Sequence, residues 1–482
     1  MSEEYQRLRD AARDVEREIA ELEQNHRVNS AAELADMERR LDVLTLKRSS
    51  LGKAMILLHS LSDQEFQQKQ KQFVRQLSHK YHSQGPRRKV VHLPGGVDVT
   101  LNSTYYHRQK DPAKASRKPE RGLYPALMLL GISNGLTPHV RRRMAKASAL
   151  LGSYEEAAEM LSDEGVVVSV NKLREVCGHM GRKLAQMTSA GSVQVDGNVE
   201  KRRIVVSLDG GRVRLREARK GRTKKGRKKF AANWREPRLF IIYAVDEHGR
   251  MADDFAPIID GTLASCDRLF EMLQANLVSI RITEASRVLF VADGATWIWK
   301  RIPKLIAALE LKPEQVQELI DFWHAVEYLG KIADSKKLKG AKRKHWLTIQ
   351  KRRLLNGEIG SVVIELETLL TGRRTKEQKT WLNYFRTHGL IHRRMDYSTS
   401  RSHQMPIGSG AMESAIRRVI NLRVKSNSTY WLRENAETMI RLRAWLKAGR
   451  AEELFQQTTC VNCDLCRMIP TNSESALVRL AS

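Results

Sequence analysis

Two apolar runs in the middle of the chain each stop at an aspartate that is followed by glycine. Residues 204–208 lead into Asp209, and residues 288–292 lead into Asp293. Short apolar runs of this kind are typical of buried strands, and in a mixed α/β sheet the strand ends border the crevice where ligands bind. The pattern therefore predicts two buried strands that carry carboxylates to a ligand-binding edge.

Each acid taken singly has a simpler interpretation as a turn residue. Asp before Gly is a common turn pair, and two further acids compete on this ground. Asp246 lies in a predicted hairpin turn, and Asp260 precedes glycine at a predicted strand exit. The order in which the elements follow one another is therefore more informative than any single acid.

The neighbouring segments predict an α/β fold class with a mixed sheet. We predict strands at 204–208, 213–215, 239–245 and 251–259, a helix at 264–277, strands at 288–292 and 319–322, and a helix from Trp323. Residues 213–215 are expected to form a hairpin with the first strand. Three antiparallel strands, a helix and then strands with crossover helices is the strand order of an RNase H-like core.

A basic segment at 335–400 interrupts this predicted core. It contains Trp346 and Trp381 and is expected to be helical. The core pattern resumes with a predicted helix at 411–421 and another at 432–447. The last thirty or so residues are polar and are predicted to form a weakly ordered tail.

A third carboxylate, Glu413, follows the flexible turn made by Gly408 and Gly410 and falls in the first turn of the predicted helix. Mg²⁺ prefers oxygen ligands. Two such ions about 3.5–4 Å apart can activate an attacking oxygen and stabilise a leaving one. The order of strand, acid, strand, acid, insertion, helix and acid predicts a metal-dependent nuclease site, although structural turns also explain each acid alone.

The first 50 residues carry apolar residues at alternating steps of three and four. The first run contains Leu8, Ala12, Val15, Ile19 and Leu22, and the second contains Leu34, Met37, Leu41, Leu44 and Leu51. Ser30 with Glu33 forms a capping box that begins the second helix. The seams fit a dimerising coiled coil and fit an antiparallel helical hairpin within one chain equally well.

A helix–turn–helix outline is predicted further along the chain. Ser153 caps one helix, Gly165 turns the chain, and Ser169 caps a second helix. Asn171, Lys172 and Arg174 would then lie at the front of the second helix, where recognition helices contact DNA. A plain helical hairpin shares the same outline.

The net charge of the chain indicates which kind of partner it can bind. The 482 residues contain 84 Lys and Arg against 55 Asp and Glu, a formal charge of +29. Such an excess favours a polyanion, above all nucleic acid. Basic residues concentrate at 108–121, at 217–229, at 335–354 and beyond Glu413.

The chain is long enough for about three domains. Its first residues contain no apolar signal segment, and its apolar runs are far shorter than the ~18 residues of a membrane span. We therefore expect a cytoplasmic, nucleoid-associated protein without a membrane partner. Five cysteines do not make a disulfide framework.

Four ordered motifs resemble the DDE-type transposases of bacterial insertion sequences, in particular a Mutator-related group with a long helical insertion. They are SLDGGRVRLRE, VLFVADGATWIW, DFWHAVEYL and PIGSGAMESAIRRVINLRVKSNSTYWLRENAETMIRLRA. The resemblance covers about residues 120–450. It implies an RNase H-like fold, a divalent metal, and DNA strand cleavage followed by strand transfer.

The resemblance also implies residue roles. Asp209, Asp293 and Glu413 match the three catalytic acids, which would hold two Mg²⁺ or Mn²⁺ ions. His324 matches a histidine kept after the second acid, which orients the scissile phosphate or the second acid, or simply packs. The basic residues beyond the third acid suit phosphate contacts, namely Arg417, Arg423 and Lys425. Trp431 is expected to belong to the core.

The cysteines depart from the family pattern. Relatives often carry a cysteine pair after an aromatic pair, but Tyr105 and Tyr106 are followed by His107, Arg108 and Gln109. A zinc ribbon is therefore not expected there. Near the end of the chain Cys460, Cys463 and Cys466 are spaced for metal binding, but zinc needs four ligands and no fourth follows. We expect free thiols, with zinc or an iron–sulfur cluster as the alternatives.

The segments define an expected domain order. It comprises an N-terminal helical or coiled-coil region (1–80), a basic linker with a short strand (81–122), a helix-turn-helix region (123–194), the first part of the core (195–334), the insertion (335–400), the last part of the core (401–450) and the tail (451–482).

The expected function is that of an insertion-sequence transposase acting as a homodimer or higher multimer. It would bind double-stranded DNA at terminal inverted repeats, cleave the element ends and join them to target DNA. The alternatives are a non-catalytic DNA-binding protein derived from a transposase and a metal-dependent nuclease without strand transfer.

Overall fold

The computed structural model describes residues 2–77, 80–108, 122–223, 226, 228–425 and 429–459. These residues belong to two compact units, one containing the chain up to Lys183 together with the segment from Phe455 onward, and the other spanning Leu184–Leu454. No helix in the described ranges is both long enough and apolar enough to cross a membrane.

The first unit combines helices with one long β-hairpin. Its elements are α1 (Glu3–Asn25), α2 (Ala31–Ser62), α3 (Gln64–Arg75), β1 (Tyr81–Leu93), β2 (Val97–Arg108), α4 (Pro125–Leu129), α5 (Pro138–Leu150), α6 (Tyr154–Asp163) and α7 (Val170–Ser189), whose last residues enter the second unit.

Helices α1 and α2 fold back on each other within the chain. Leu8, Ala12 and Val15 of the α1 seam are buried in one core with residues of α2 and of the β-hairpin. An ion pair of 2.5 Å between Glu16 and Arg48 joins the two helices. The hairpin interpretation is therefore the one observed for the α1 seam, because its apolar residues are buried by the same chain.

The segment expected to be a basic linker contains two long strands instead of one short one. β1 pairs antiparallel with β2, and Leu93 lies opposite Val97 across the turn. The sequence analysis does not predict β1, because the strand is rich in cationic side chains. In the structure these side chains pack on aromatic rings and do not end the strand. The Arg87 guanidinium lies 4.0 Å from the centroid of the Tyr105 ring, and the Lys89 ammonium lies 4.7 Å from that of Tyr124. Residues 109–121 of the expected linker lie outside the described residues.

The predicted helix–turn–helix outline is confirmed as α6 and α7. Ser153 accepts a hydrogen bond from the Glu156 amide, and Ser169 accepts one from the Lys172 amide. Gly165 in the connecting turn has φ +71°, and a Cβ there would lie 2.5 Å from Leu46. Glycine is required at this position for both reasons.

The second unit is built on a five-stranded mixed sheet. Its strands are β3 (Arg203–Gly210), β6 (Arg238–Val245), β7 (Ile258–Thr262), β8 (Arg287–Ala292) and β9 (Val316–Ile320), and a separate two-stranded ribbon is formed by β4 (Val213–Arg222) and β5 (Lys228–Arg235). The sheet order is β7-β6-β3-β8-β9. β6 runs antiparallel to β3 and β7, whereas β8 runs parallel to β3 and β9. This mixed α/β arrangement is compatible with an RNase H-like core that carries helical insertions.

Helices cover the sheet and fill the predicted insertion. They are α8 (Cys266–Ser279), α9 (Thr296–Trp299), α10 (Ile302–Ala308), α11 (Phe322–Ser335), α12 (Gly340–Leu355), α13 (Ile359–Leu369), α14 (Lys376–Tyr384), α15 (Tyr397–Ser402), α16 (Gly410–Ile416), α17 (Arg433–Lys447) and α18 (Ala451–Thr459). Two π-helical turns, Phe385–Ile391 and Arg417–Asn421, extend α14 and α16.

Two strand predictions and the predicted start of the tail need correction. Residues 213–215 do not pair with β3, because they begin β4, whose partner is β5. Only Ile258 and the residues that follow form β7, and Met251 makes a single bridge to Val245. The expected tail also begins later, because Ala451–Thr459 is helical.

A buried ion pair ties three elements of the second unit together. Arg441 of α17 donates to both carboxylate oxygens of Asp260 in β7, at 3.1 and 2.7 Å, and to the Thr188 hydroxyl at 2.7 Å. Both charged side chains are about 3% exposed. Asp260 is therefore a structural acid inside a strand rather than a turn residue.

Breaking this pair should destabilise the second unit strongly. Arg441→Met leaves the buried Asp260 carboxylate without its counterion, and we expect the free energy of unfolding to fall by about 3–5 kcal/mol. Urea denaturation followed by tryptophan fluorescence measures the change. Arg343→Ala removes a more exposed ion pair with Asp334 and should cost at most about 1 kcal/mol. Equal effects for the two variants would contradict a structural role for the Arg441 pair.

Candidate active site

Asp209 and Asp293 lie side by side at one edge of the sheet. β3 and β8 are parallel neighbours, and Leu208 lies opposite Ala292 in their register. The next residue on each strand is the aspartate, so the two carboxylates share the edge predicted from the sequence. Both residues are half-buried.

The electrostatics of Asp209 reflect this proximity. Burial raises the pKa of Asp209, and the negative charge of Asp293 raises it further. A hydrogen bond of 2.6 Å from the Gly210 amide and the charge of His324 act in the opposite direction. The net result is a pKa of about 6, for which burial of the carboxyl group is the main cause.

The loop that carries Asp293 is held from both sides. The Asp293 carboxylate accepts a hydrogen bond of 2.9 Å from the Ala295 amide, and its carbonyl accepts one of 2.5 Å from the Trp299 indole. A Cβ on Gly294 would lie 2.2 Å from the Tyr384 ring. Glycine after this acid therefore lets Tyr384 pack directly against the loop.

A third acid at the same edge, Asp321, was not assigned by the sequence analysis. It follows β9, the next parallel strand, and it is fully buried. One carboxylate oxygen accepts from the Ser409 amide at 2.5 Å and from the Ser409 hydroxyl at 2.6 Å, and the other accepts from the His324 amide at 2.9 Å. The signal that identifies Asp209 and Asp293 also applies here, since Leu319 and Ile320 are apolar and precede the acid.

These contacts make Asp321 a positioning residue. Ser409 directly precedes α16, so the carboxylate ties the end of β9 to the start of the helix that carries Glu413. Burial alone would raise the pKa of Asp321. The hydrogen bonds from His324 and Ser409 outweigh this effect and hold the pKa well below its usual range.

His324 lies between Asp321 and Asp293. Its Nδ1 is 3.8 Å from a carboxylate oxygen of Asp321. The interaction with Asp321, and to a smaller extent the charges of Asp293 and Glu327, raise the pKa of His324 to about 9 despite its partial burial. His324 is therefore a cation at neutral pH beside the carboxylate pair.

Glu413 lies in the first turn of α16, as predicted, and is exposed. Helix α16 packs against β3 and β6, so Glu413 is carried by an element that contacts the strand of Asp209. Within the described ranges, no group of three or more His, Cys, Asp or Glu side chains is gathered closely enough to hold a metal ion.

The chemistry of Asp209 and Asp293 nevertheless suits a hard cation. Both supply carboxylate oxygens, which Mg²⁺ prefers, and a divalent cation would favour the ionised form of Asp209 against the effects of burial and of the Asp293 charge. Asp246, in contrast, accepts hydrogen bonds from the His248 and Arg250 amides and acts as the expected turn residue.

Aromatic side chains pack behind Asp293. Tyr328 stacks on Tyr384 with ring centroids 4.3 Å apart, and His388 packs edge-on against Tyr384 at 5.0 Å. Burial, together with the neighbouring charges of Arg394 and His392, lowers the pKa of His388 to about 4. His388 is thus a neutral packing residue at physiological pH.

The residues expected to contact DNA differ in exposure. Asn171 and Arg174 are exposed at the front of α7, and the Lys172 ammonium pairs with Glu175 at 3.2 Å. Near α16, Arg417 and Lys425 are exposed.

Arg423 differs from the expectation for a phosphate contact. It is buried, and its guanidinium lies over the Trp431 ring. Trp431 is buried too and donates to the Val424 carbonyl, which confirms its place in the core. Only Arg417 and Lys425 of the three basic residues are presented to solvent. Cys460, Cys463 and Cys466 lie outside the described residues.

Comparison of the sequence with protein-family models and with curated proteins finds no match. Among solved structures, the chain is similar to one described as a Drosophila P element transposase strand transfer complex. The sequence identity is 12%, the match covers 67% of this chain and 84% of that chain, and the TM-score is 0.22.

Replacing Asp321 by Asn should lower the pKa of His324 from about 9 toward the ordinary 6.5. Asparagine removes the negative charge that stabilises the protonated imidazole. Histidine carbon chemical shifts followed by NMR across pH 5–10 measure the change. Glu327→Gln removes a weaker contribution and should produce a smaller shift. An unchanged His324 pKa in Asp321→Asn would contradict the assignment.

His388 should make the free energy of unfolding decrease as the solution becomes acidic. Its pKa is about 4 in the folded chain and about 6.5 when unfolded. Its contribution is therefore fully present above pH 6.5 and is lost as the pH falls through 4. His388→Phe should flatten the decline in unfolding free energy between pH 6.5 and 4, measured by urea denaturation. His345→Phe, at an exposed position, should leave the wild-type slope unchanged, and so a wild-type slope in His388→Phe would refute the role.

Proposed function

We propose that this protein is a DNA transposase of a bacterial insertion sequence, with an RNase H-like catalytic core. The observation that carries the proposal is the pair of carboxylates, Asp209 and Asp293, at the ends of neighbouring parallel strands. Support comes from the ordered motifs around these acids and from the net charge of +29. A basic chain with two neighbouring carboxylates at a sheet edge has a site suited to a cation, and its excess of positive charge suits it to DNA.

In this proposal Asp209 and Asp293 would hold two Mg²⁺ or Mn²⁺ ions together with Glu413, which the structure does not gather into one cluster with them. Such ions would neutralise charge at the phosphodiester and activate the attacking oxygen. The protein's own contribution is to position the three acids. Asp321 supports this task by fixing the loop before α16, on which Glu413 depends for its place.

His324 acts on the phosphate in this proposal. With a pKa of about 9 it is protonated at neutral pH, and its orientation is held by Asp321. A charged imidazole beside the acids can donate to a phosphate oxygen and orient the scissile group, which is the main task in phosphoryl transfer.

DNA is held at several places. Asn171, Lys172 and Arg174 at the front of α7 would read the terminal inverted repeats, and Arg417 and Lys425 would contact phosphates near the acids. The excess of Lys and Arg adds affinity that does not depend on sequence and falls steeply with salt. Two successive in-line transfers, water first and the freed 3′-OH second, would then cleave the element end and join it to target DNA.

The test is Asp209→Asn, assayed with a labelled inverted-repeat end, Mg²⁺ and supercoiled target DNA. We expect cleavage to fall by roughly a thousandfold or more while binding of the end is retained, because asparagine keeps the shape of the side chain. Asp253→Asn is the matched control, since it removes the same charge from an exposed position of the same unit. Cleavage by Asp209→Asn at the wild-type rate would overturn the proposal.

The same assay separates the other candidate functions. Binding without any nicking by the wild-type chain would identify a DNA-binding protein derived from a transposase. Nicking without joined products would identify a metal-dependent nuclease. Joined products from the wild-type chain that Asp209→Asn does not form support the transposase.

A further inference from the structure

The ribbon of β4 and β5 leaves the sheet directly beside the carboxylate pair. β4 begins four residues after Asp209, and β5 ends shortly before β6. The Gly211 amide donates to the Pro237 carbonyl at 2.8 Å, which closes the base of the ribbon against the sheet. The ribbon is therefore an arm with its base at the candidate active site.

The two faces of this arm differ sharply. On one face Val213 and Leu215 are buried, and Leu215 bridges to Trp431. On the other face Arg214 lies opposite Trp234, and Ala218 lies opposite Phe230. The first face packs into the second unit, and the second face points to solvent.

The outer face combines aromatic rings with arginine. We call it the aromatic–arginine face, and it consists of Arg214, Arg216, Phe230, Trp234 and Tyr430. The Arg214 guanidinium lies 5.2 Å from the Trp234 centroid and 4.8 Å from that of Tyr430, and Arg216 lies 4.4 Å from that of Phe230. Phe230 and Tyr430 are 5.7 Å apart.

The three rings of the aromatic–arginine face are exposed to solvent. Trp234 is 52% exposed, Phe230 43% and Tyr430 39%. Ala218 and Ala232 are exposed on the same face, and their small side chains add little bulk beside the rings. Phe230 and Tyr430 contact each other, Arg214 links Tyr430 to Trp234, and a set of rings open to solvent in this way marks a binding surface.

The charge of the arm limits what can bind. Residues 212–235 contain twelve lysines and arginines and a single acid, Glu217. Glu217 is paired with Arg235 and Asn233. A polyanion is favoured, and among polyanions one with flat π faces matches exposed rings and guanidinium planes. Nucleic acid with unpaired bases has both properties, because successive bases stack on aromatic side chains while the backbone follows the cations.

We propose that the aromatic–arginine face binds unpaired bases of single-stranded DNA beside the carboxylate pair. The inference rests on the proposed function for the choice of DNA over RNA. Bases stack on Trp234, Phe230 and Tyr430, and the phosphates lie along the cationic strands of the arm. The arm thereby holds a strand whose pairing has opened next to Asp209.

The test measures binding in EDTA, so that cleavage plays no part. Fluorescence anisotropy with the full chain compares a labelled oligo(dT) 20-mer with a duplex of equal length. We expect Trp234→Ala and Phe230→Ala each to weaken oligo(dT) binding about tenfold, and the double variant about a hundredfold. Duplex affinity should change less than threefold, because no charge is removed.

Matched variants separate stacking from folding. Trp234→Phe keeps a ring and should keep oligo(dT) affinity within about threefold of wild type. Ile364→Ala removes an exposed apolar side chain elsewhere in the same unit and should change neither affinity. Circular dichroism and urea denaturation establish that each variant is folded. Quenching of tryptophan fluorescence by oligo(dT), lost in Trp234→Ala, gives a second readout that does not depend on affinity.

Three results would overturn the inference. They are wild-type oligo(dT) affinity in the double variant, an equal loss for duplex and single strand, and a change of oligomeric state in the double variant without a change in oligo(dT) binding. The last would identify the face as a protein contact. Failure of the proposed function is seen separately, because a wild-type chain that binds oligo(dT) through these rings but does not cleave in Mg²⁺ would retain this inference and lose the transposase assignment.

Discussion

The parallel pairing of β3 with β8 is the constraint on which the rest of the site depends. Parallel neighbours end at the same edge of a sheet, so the register that places Leu208 opposite Ala292 also places Asp209 beside Asp293. Burial of the Asp209 carboxyl group raises its pKa to about 6, and the charge of Asp293 makes a smaller contribution in the same direction. A bound divalent cation would favour the ionised form of Asp209.

The acids at this edge of the sheet have different roles, since Asp321 is structural whereas Asp209 and Asp293 are candidate catalytic residues. Asp321 follows the next parallel strand, but its oxygens are occupied by Ser409 and His324. A buried, fully hydrogen-bonded carboxylate is a rigid anchor, and here it fixes both the start of α16 and the charge of His324. Asp209 and Asp293 have no comparable cation partner among the described residues apart from the nearby His324. The arm formed by β4 and β5 leaves the sheet beside this pair, so an opened DNA strand would lie next to it.

Much of the central sheet could be predicted from the sequence, because β3, β6 and β8 are continuous apolar runs buried on both faces. The errors occur where pairing is decided over long distances or where polar residues hide a strand. β4 was assigned to β3, but its partner β5 is basic and has no apolar alternation. β1 is not predicted because its cationic side chains pack over aromatic rings, a contact that local periodicity cannot reveal.

The sequence by itself determined the elements that carry Asp209, Asp293 and Glu413, because the signals for strands and helices are local. An acid that follows an apolar run lies at the end of a strand, whichever strands that strand pairs with. Only the tertiary structure decided how such signals are used. In the folded chain the α1 seam is buried against other residues of the same chain, and Arg423 packs over Trp431. Asp321 forms internal hydrogen bonds that fix the start of α16. The physical reason is that an amphipathic seam, a cation and a carboxylate each have several favourable partners, and only the folded chain brings one of them within reach.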